Sequence, residues 1–133
     1  MTRHLGEALS TIGRHTEAIE LFTEALDYFR ETDERYHQAR TLIGLASAYL
    51  RSGRFDDARE ELRMALVAAE EAGARHEQAR IHVTLADVAE RRADPVEARD
   101  QLEAALAIYT ELGAPQAEEI TKRLATPTIA RPR

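Results

Sequence analysis

The sequence predicts an all-α fold in which three helix hairpins stack as a solenoid and a short C-terminal helix covers the last hairpin. Three observations lead to this prediction. A constant shift that places Leu5 on Leu45 superimposes the chain on itself, apolar residues recur at helical spacing, and no segment alternates apolar and polar residues as a half-buried strand does. The 133 residues therefore divide into repeats 1–40, 41–80 and 81–120, followed by a short tail.

The repeat period is carried by leucine, alanine and glycine. The shift aligns Leu5 with Leu45 and Leu85, Ala18 with Ala58 and Ala98, Ala25 with Ala65 and Ala105, and Gly13 with Gly53. Agreement at this many positions is not expected of an unrelated sequence, so each repeat is expected to fold in the same way.

The second repeat illustrates how a repeat divides into two helices. The apolar residues of its first helix share one face: Leu42, Leu45, Ala46 and Tyr49. This helix is expected to end near Arg51, because Gly53 follows it and glycine readily adopts the left-handed conformation that ends helices. Asp56 is expected to cap the second helix, which Gly73 ends.

The third repeat and the C-terminus complete the predicted solenoid of residues 1–125. Asp94, Pro95 and Glu97 match the start of a helix, with an aspartate cap, a proline in the first turn and a glutamate three residues after the cap. A capping helix is expected over about 115–125, since it has one apolar face and one charged face. Residues 126–133 contain two prolines and no apolar stripe, and are expected to be disordered.

The repeat positions resemble the pattern of the tetratricopeptide repeat family. The second repeat carries Leu45-Ala46-x-x-Tyr49, Gly53, Phe55, Ala58-x-x-x-Leu62 and Ala65. The resemblance covers about 120 residues and implies a right-handed α-solenoid built from helix-turn-helix units. The period of 40 exceeds the usual 34 of the family and is similar to extended variants in bacterial regulators, while a HEAT-like repeat is the alternative fold.

Composition and motifs exclude several functions. The chain has 24 acidic and 18 basic residues, and its net charge of -6 argues against direct binding of nucleic acid or an anionic membrane. Cysteine is absent, and the five histidines show no metal-binding spacing. No catalytic or phosphate-binding motif is present, so we expect no enzyme, cofactor or metal site.

The basic residues also indicate an origin. Only Lys122 among the 18 basic residues is lysine, a bias that is typical of GC-rich coding sequences and favours a bacterial, cytoplasmic protein. The first predicted helix begins almost at Met1, which leads us to expect that the repeats continue upstream in a longer parent chain.

The candidate partner-binding surface lies opposite the apolar face of each first helix, which lines the concave groove in solenoids of this family. The predicted contacts are Arg40, Gly44, Ser47 and Arg51 in the second repeat and Arg80, Thr84, Asp87 and Arg91 in the third. Arginine binds carboxylates through two parallel hydrogen bonds, so these arginines favour an acidic peptide. The alternative is a solvated surface on which Arg91 pairs with Asp87 and Arg80 with Glu77.

The resemblance implies a non-catalytic scaffold that binds a peptide or protein segment in this concave groove. Two alternatives remain: a sensor or regulatory arm of a multidomain bacterial transcriptional regulator, and a homodimerisation module. Most aromatic side chains, Tyr28 among them, are expected to face inward, whereas Tyr36 is expected to be exposed.

Overall fold

The computed structural model describes residues 14–126, and within this range the chain forms six α-helices and no strand. The helices are α1 (His15–Glu31), α2 (Arg35–Arg51), α3 (Phe55–Glu71), α4 (Arg75–Arg91), α5 (Pro95–Leu112) and α6 (Gln116–Ala125). The first helix predicted for the first repeat and all of the predicted tail beyond Thr126 lie outside the described residues. No helix in the described range combines the length and the apolar character that a membrane span requires.

The first five helices start at regular intervals, at positions 15, 35, 55, 75 and 95, so one repeat period consists of two helices and two turns. The hairpins begin at Arg35 and Arg75, six residues before the repeat starts predicted at 41 and 81. This difference arises because self-alignment of a sequence fixes a period but not the point at which the repeating unit starts.

The chain divides into two compact units, one ending at Ala74 and the other beginning at Arg75. In the first unit α2 packs against both α1 and α3, and in the second unit α5 packs against both α4 and α6. The buried cluster between α1 and α2 consists of Ala18, Phe22, Leu45 and Ala48. That of the second unit consists of Ala79, Ala86, Leu102, Ala105, Ile108, Tyr109 and Ile120. The many alanines allow close approach of the helices, so few large side chains are needed to fill the space.

All five turns between the described helices are closed by the same hydrogen bonds. Gly53 illustrates the pattern: its N–H donates to the Leu50 carbonyl at 3.1 Å, and the N–H of Arg54 donates to the Tyr49 carbonyl at 2.8 Å. These are the two bonds of a Schellman motif, which requires a left-handed residue. The left-handed residues are Asp33, Gly53, Gly73, Ala93 and Gly113. The predicted helix ends before Gly53 and Gly73 are confirmed.

Of the two predicted helix caps, Asp94 is confirmed and Asp56 is wrong. The Asp94 carboxylate accepts a hydrogen bond from the Glu97 N–H at 3.1 Å, and Pro95 follows the cap as expected. Asp56 does not occupy the cap position of α3, because the Schellman turn leaves only Arg54 between Gly53 and the first helical residue. Asp56 lies in the first turn, where its charge interacts favourably with the helix dipole.

Replacing Ala93 with glycine is expected to stabilise the second unit by about 0.5–1 kcal/mol. The φ angle of Ala93 is 59°, and this conformation costs a non-glycine residue about 1–2 kcal/mol, which exceeds the entropy that glycine loses on folding. Chemical denaturation followed by circular dichroism measures the change. Ala72→Gly is the control, since Ala72 has a φ of -83° and should only lose stability. Equal loss in both variants would contradict the prediction.

Candidate functional site

The α2 stripe, defined by Arg40, Gly44, Ser47 and Arg51, contains less buried positions of a heavily buried helix. The buried residues of α2 are Gln38, Ala39, Thr41, Leu42, Ile43, Leu45, Ala46 and Ala48. Within the stripe Arg51 is exposed and the other three residues are half-buried. At 100° per residue the four positions point outward within a narrow arc of the helix, so the structure brings the predicted contacts of this repeat together.

Arg40 carries a positive charge without a counter-ion among the described residues. Its guanidinium carbon lies 5.8 Å from the centre of the Tyr36 ring, and its Nη1 donates to the Tyr36 hydroxyl at 3.4 Å. Its Nε is buried and has no hydrogen-bond acceptor. Arginines at helix starts are paired instead, as in the 2.8 Å contact between Arg54 and Asp57. The exposed part of the Arg40 guanidinium is therefore available to an external carboxylate.

Gly44 is explained by packing inside the first unit. A Cβ atom at this position would lie 2.6 Å from Cε1 and 2.7 Å from Cζ of Phe22, a buried residue of α1. Neither atom pair can approach so closely, so the glycine is needed for the ring to pack against α2. This contact accounts for Gly44 without a partner.

The α4 stripe, defined by Arg80, Thr84, Asp87 and Arg91, has a different charge pattern. Arg80 and Arg91 are exposed, while Thr84 and Asp87 are half-buried. The Thr84 hydroxyl donates to the carbonyl of Arg80, one turn earlier, at 3.0 Å. The side chain of Arg80 forms no ion pair within the described range.

Asp87 is bound by a residue that helical spacing could not reveal. Its carboxylate accepts a hydrogen bond at 2.6 Å from Arg123 of α6, which also contacts Glu90 at 3.2 Å. Burial lowers the pKa of Arg123, but the hydrogen bond and charge of Asp87 outweigh burial and leave that pKa raised. Helix α6 thus neutralises the acidic part of the α4 stripe, although Arg123 and Asp87 are far apart in the sequence.

An aromatic patch adjoins the α2 stripe at the turn between α1 and α2. It consists of Tyr28, Phe29, Tyr36 and His37. His37 stacks on Phe29 with ring centres 5.0 Å apart, and Tyr28 and Tyr36 each meet an inner ring edge-on at 5.4 Å. Tyr36 is 40% exposed, as predicted, whereas Tyr28 is 58% exposed and the prediction that it faces inward is wrong.

The two histidines of α4, His76 and His82, contact neighbouring side chains. Nδ1 of His82 lies 2.7 Å from Oε1 of Gln101, which confirms the prediction of a hydrogen-bonded, partly buried ring. His76 meets the ring of Tyr109 edge-on at 5.5 Å. Between residues 14 and 126 no group of three or more potential metal ligands is gathered.

Comparison with known families gives one match. The model described as "Tetratricopeptide repeat" matches residues 1–71 and 38–111, and these two overlapping ranges cover most of the 133 residues. No curated protein sequence matches the chain.

Solved structures provide a second comparison. The apo form of RapI aligns with a TM-score of 0.83 at 18% identity, over 92% of this chain and 45% of RapI. A Rap protein complexed with Competence and Sporulation Factor gives 0.82 at 18% identity, over 92% and 34% of the two chains. BtubC (BKLC) from P. vanneervenii gives 0.84 at 20% identity, over 97% and 55%. This chain thus spans less than half of the Rap proteins, and the likeness confirms the fold class, an all-α helical repeat of the solenoid type.

Proposed function

Because the chain belongs to the tetratricopeptide repeat family, a class of protein-interaction scaffolds, we propose that it binds acidic segments of a partner protein, for which the α2 stripe and the α4 stripe are each a contact surface of their own unit. The observation that carries this proposal is the state of Arg40 and Arg80. These arginines occupy equivalent positions in successive repeats, and neither has a carboxylate partner in the described part of the chain.

Acidic residues outnumber basic ones by six, and still neither Arg40 nor Arg80 has a carboxylate partner among the described residues. When such an unpaired arginine binds a carboxylate of a partner, no internal ion pair has to be broken. A charge-assisted hydrogen bond of this kind contributes about 1.5–3 kcal/mol when it is shielded from water.

The test is charge reversal with a matched control. A fluorescently labelled glutamate-rich peptide and a lysine-rich peptide of equal length serve as probes in anisotropy titrations at low and moderate salt. The double variant Arg40→Glu/Arg80→Glu is expected to weaken binding of the acidic peptide at least tenfold, about 1.4 kcal/mol, and to reduce its salt dependence. The lysine-rich peptide should not lose affinity in this variant, because the variant makes an acidic chain more acidic.

Arg59→Glu/Arg63→Glu is the control for net charge. Both residues lie on α3 and belong to neither stripe, and the double variant changes the total charge by the same amount. It is expected to lower affinity far less than the stripe variant, because separated exposed charges are screened within about 10 Å. Equal losses in the two double variants would show that only net charge matters and would refute a stripe site.

The sensor arm of a transcriptional regulator and the homodimer are alternatives within the same proposal, since each also requires a protein partner. Light scattering across a range of concentrations distinguishes the homodimer. A monomer at all concentrations eliminates it, whereas a dimer that Arg40→Glu dissociates would replace the peptide by a second copy of the chain.

A further inference from the structure

We infer that the aromatic patch and Arg40 together form an anchor for a partner segment in which an acidic residue lies next to an aromatic one. This inference rests on the proposed function and narrows it to one end of the α2 stripe. The carboxylate would bind the guanidinium of Arg40, and the aromatic side chain would pack against the exposed rings of Tyr28 and Tyr36.

The repeat itself does not need these rings. In the next repeat the equivalent positions hold Ala68, Ala69, His76 and Glu77, and the turn between α3 and α4 closes with the same hydrogen bonds as the turn between α1 and α2. A hairpin of this chain can therefore form its turn with small or polar side chains at these positions. The turn between α1 and α2 therefore carries rings that the next turn lacks, and two of them, Tyr28 and Tyr36, are exposed.

The geometry of the patch suits an aromatic guest. Phe29 and His37 form a stacked centre, and the two tyrosines stand edge-on at its flanks with 58% and 40% of their surfaces exposed. The inner rings restrict the motion of the outer ones, so little side-chain entropy remains to be lost on binding. Tyrosine and arginine are also the residue types that are enriched at the energetic centres of protein interfaces.

Arg40 supplies the charge selectivity of the anchor. Its guanidinium lies over the Tyr36 ring and its side chain is half-buried, so it is partly desolvated before any partner arrives. A guanidinium above a ring still directs N–H groups outward in its own plane, where a carboxylate can accept them. The anchor thus selects a negative charge close to an apolar or aromatic surface.

A second arginine–tyrosine pair in the same unit shows the contrast. The guanidinium carbon of Arg54 lies 4.5 Å from the centre of the Tyr49 ring, but its Nε donates to Asp57 at 2.8 Å. Its charge is therefore compensated inside the protein. The same residue types occur in both pairs, and only the pair at Arg40 lacks a counter-ion among the described residues.

The absence of tryptophan from this chain allows a direct experiment. The probe is an acidic peptide with one central tryptophan flanked by glutamates, and its partner peptide has alanine in place of tryptophan. Isothermal titration gives both affinities, and tryptophan fluorescence reports whether the ring leaves water. We expect the tryptophan peptide to bind at least tenfold more tightly than the alanine peptide, with a blue-shifted emission.

Single variants then test the location. Tyr36→Ala and Arg40→Ala are each expected to weaken the tryptophan peptide about tenfold, and Tyr36→Ala should abolish most of the difference between the two peptides. The equivalent variant His76→Ala, and the variant Arg54→Ala of the charge-compensated pair, should keep that difference. Circular dichroism confirms that each variant is folded.

Several outcomes would overturn the inference. Equal affinities for the two peptides would show that no aromatic anchor exists, even if charge reversal at Arg40 and Arg80 weakens both. The absence of binding up to about 1 mM, the weak end of measurable affinities, would also overturn it. A dimer that Tyr36→Ala dissociates would assign the patch to a second copy of this chain and would equally overturn it.

Discussion

Gly44→Ala is expected to destabilise the first unit by up to about 2 kcal/mol, although alanine is the better helix former. Alanine in place of glycine stabilises a helix interior by about 1 kcal/mol. The new methyl group would meet the Phe22 ring at 2.6 Å, however, and Phe22 is buried in a cluster with Ala18, Leu45 and Ala48. Overpacking of this kind costs about 1–3 kcal/mol and outweighs the gain in propensity when the ring cannot move aside. Gly44→Val should lose more.

A loss of stability in Gly44→Ala would support the packing explanation, and a second substitution at Phe22 tests whether the ring is the cause. Phe22→Leu removes the atoms that the methyl group would meet, so Phe22→Leu/Gly44→Ala should be more stable than the sum of the two single losses predicts. Ser47→Ala, on the same stripe, is the control and should change stability by less than about 0.5 kcal/mol. Urea denaturation followed by circular dichroism measures all four variants. A gain of stability in Gly44→Ala alone would contradict the packing explanation.

Ile120→Ala is expected to release α6 from the second unit. Ile120 is the one buried residue of this helix and packs in the cluster that contains Ile108 and Tyr109. Truncating a buried isoleucine to alanine costs about 2–5 kcal/mol, and a ten-residue helix is only marginally stable by itself. The loss should therefore unfold α6 locally while α4 and α5 stay folded.

Amide hydrogen exchange measures this local release. In Ile120→Ala the amides of α6 should exchange much faster, whereas those of α5 should keep most of their protection. Thr121→Ala changes an exposed neighbour and should leave the exchange of α6 nearly unaltered. Loss of protection throughout the second unit would mean that α6 is an integral part of its core and not a separable cap.

The fold could be predicted from the sequence because it depends on local rules. Apolar spacing identified the helices, glycines identified two of their ends, and the Asp94 cap was visible in four consecutive residues. Asp33 and Ala93 occupy the same left-handed position but were not predicted, since neither is a residue type that signals it unambiguously. The left-handed position recurs with each single helix, every 20 residues. Self-alignment with the 40-residue period of whole repeats did not show this shorter spacing.

The candidate site was predictable only in part, because its charges depend on residues distant in sequence. Helical spacing placed Arg40 and Arg51 on one face, but it could not show that Phe22 fills the space beside Gly44. It offered Arg91 as a partner for Asp87, while the contact with Arg123 depends on how α6 packs. The exposure of Tyr28 was missed because the equivalent positions hold Ala68 and Ile108, which are buried and apolar.

The uniform turns also determine which changes of chain length this protein can tolerate. A left-handed residue stands at every twentieth position from Asp33 to Gly113, and each one ends a helix. Duplication or loss of one whole repeat would leave all remaining helices with their own start, end and buried face. Loss of part of one helix would instead leave the apolar face of the helix packed against it partly uncovered. The gene can therefore grow or shrink in whole hairpins, and intermediate lengths should be absent among functional relatives.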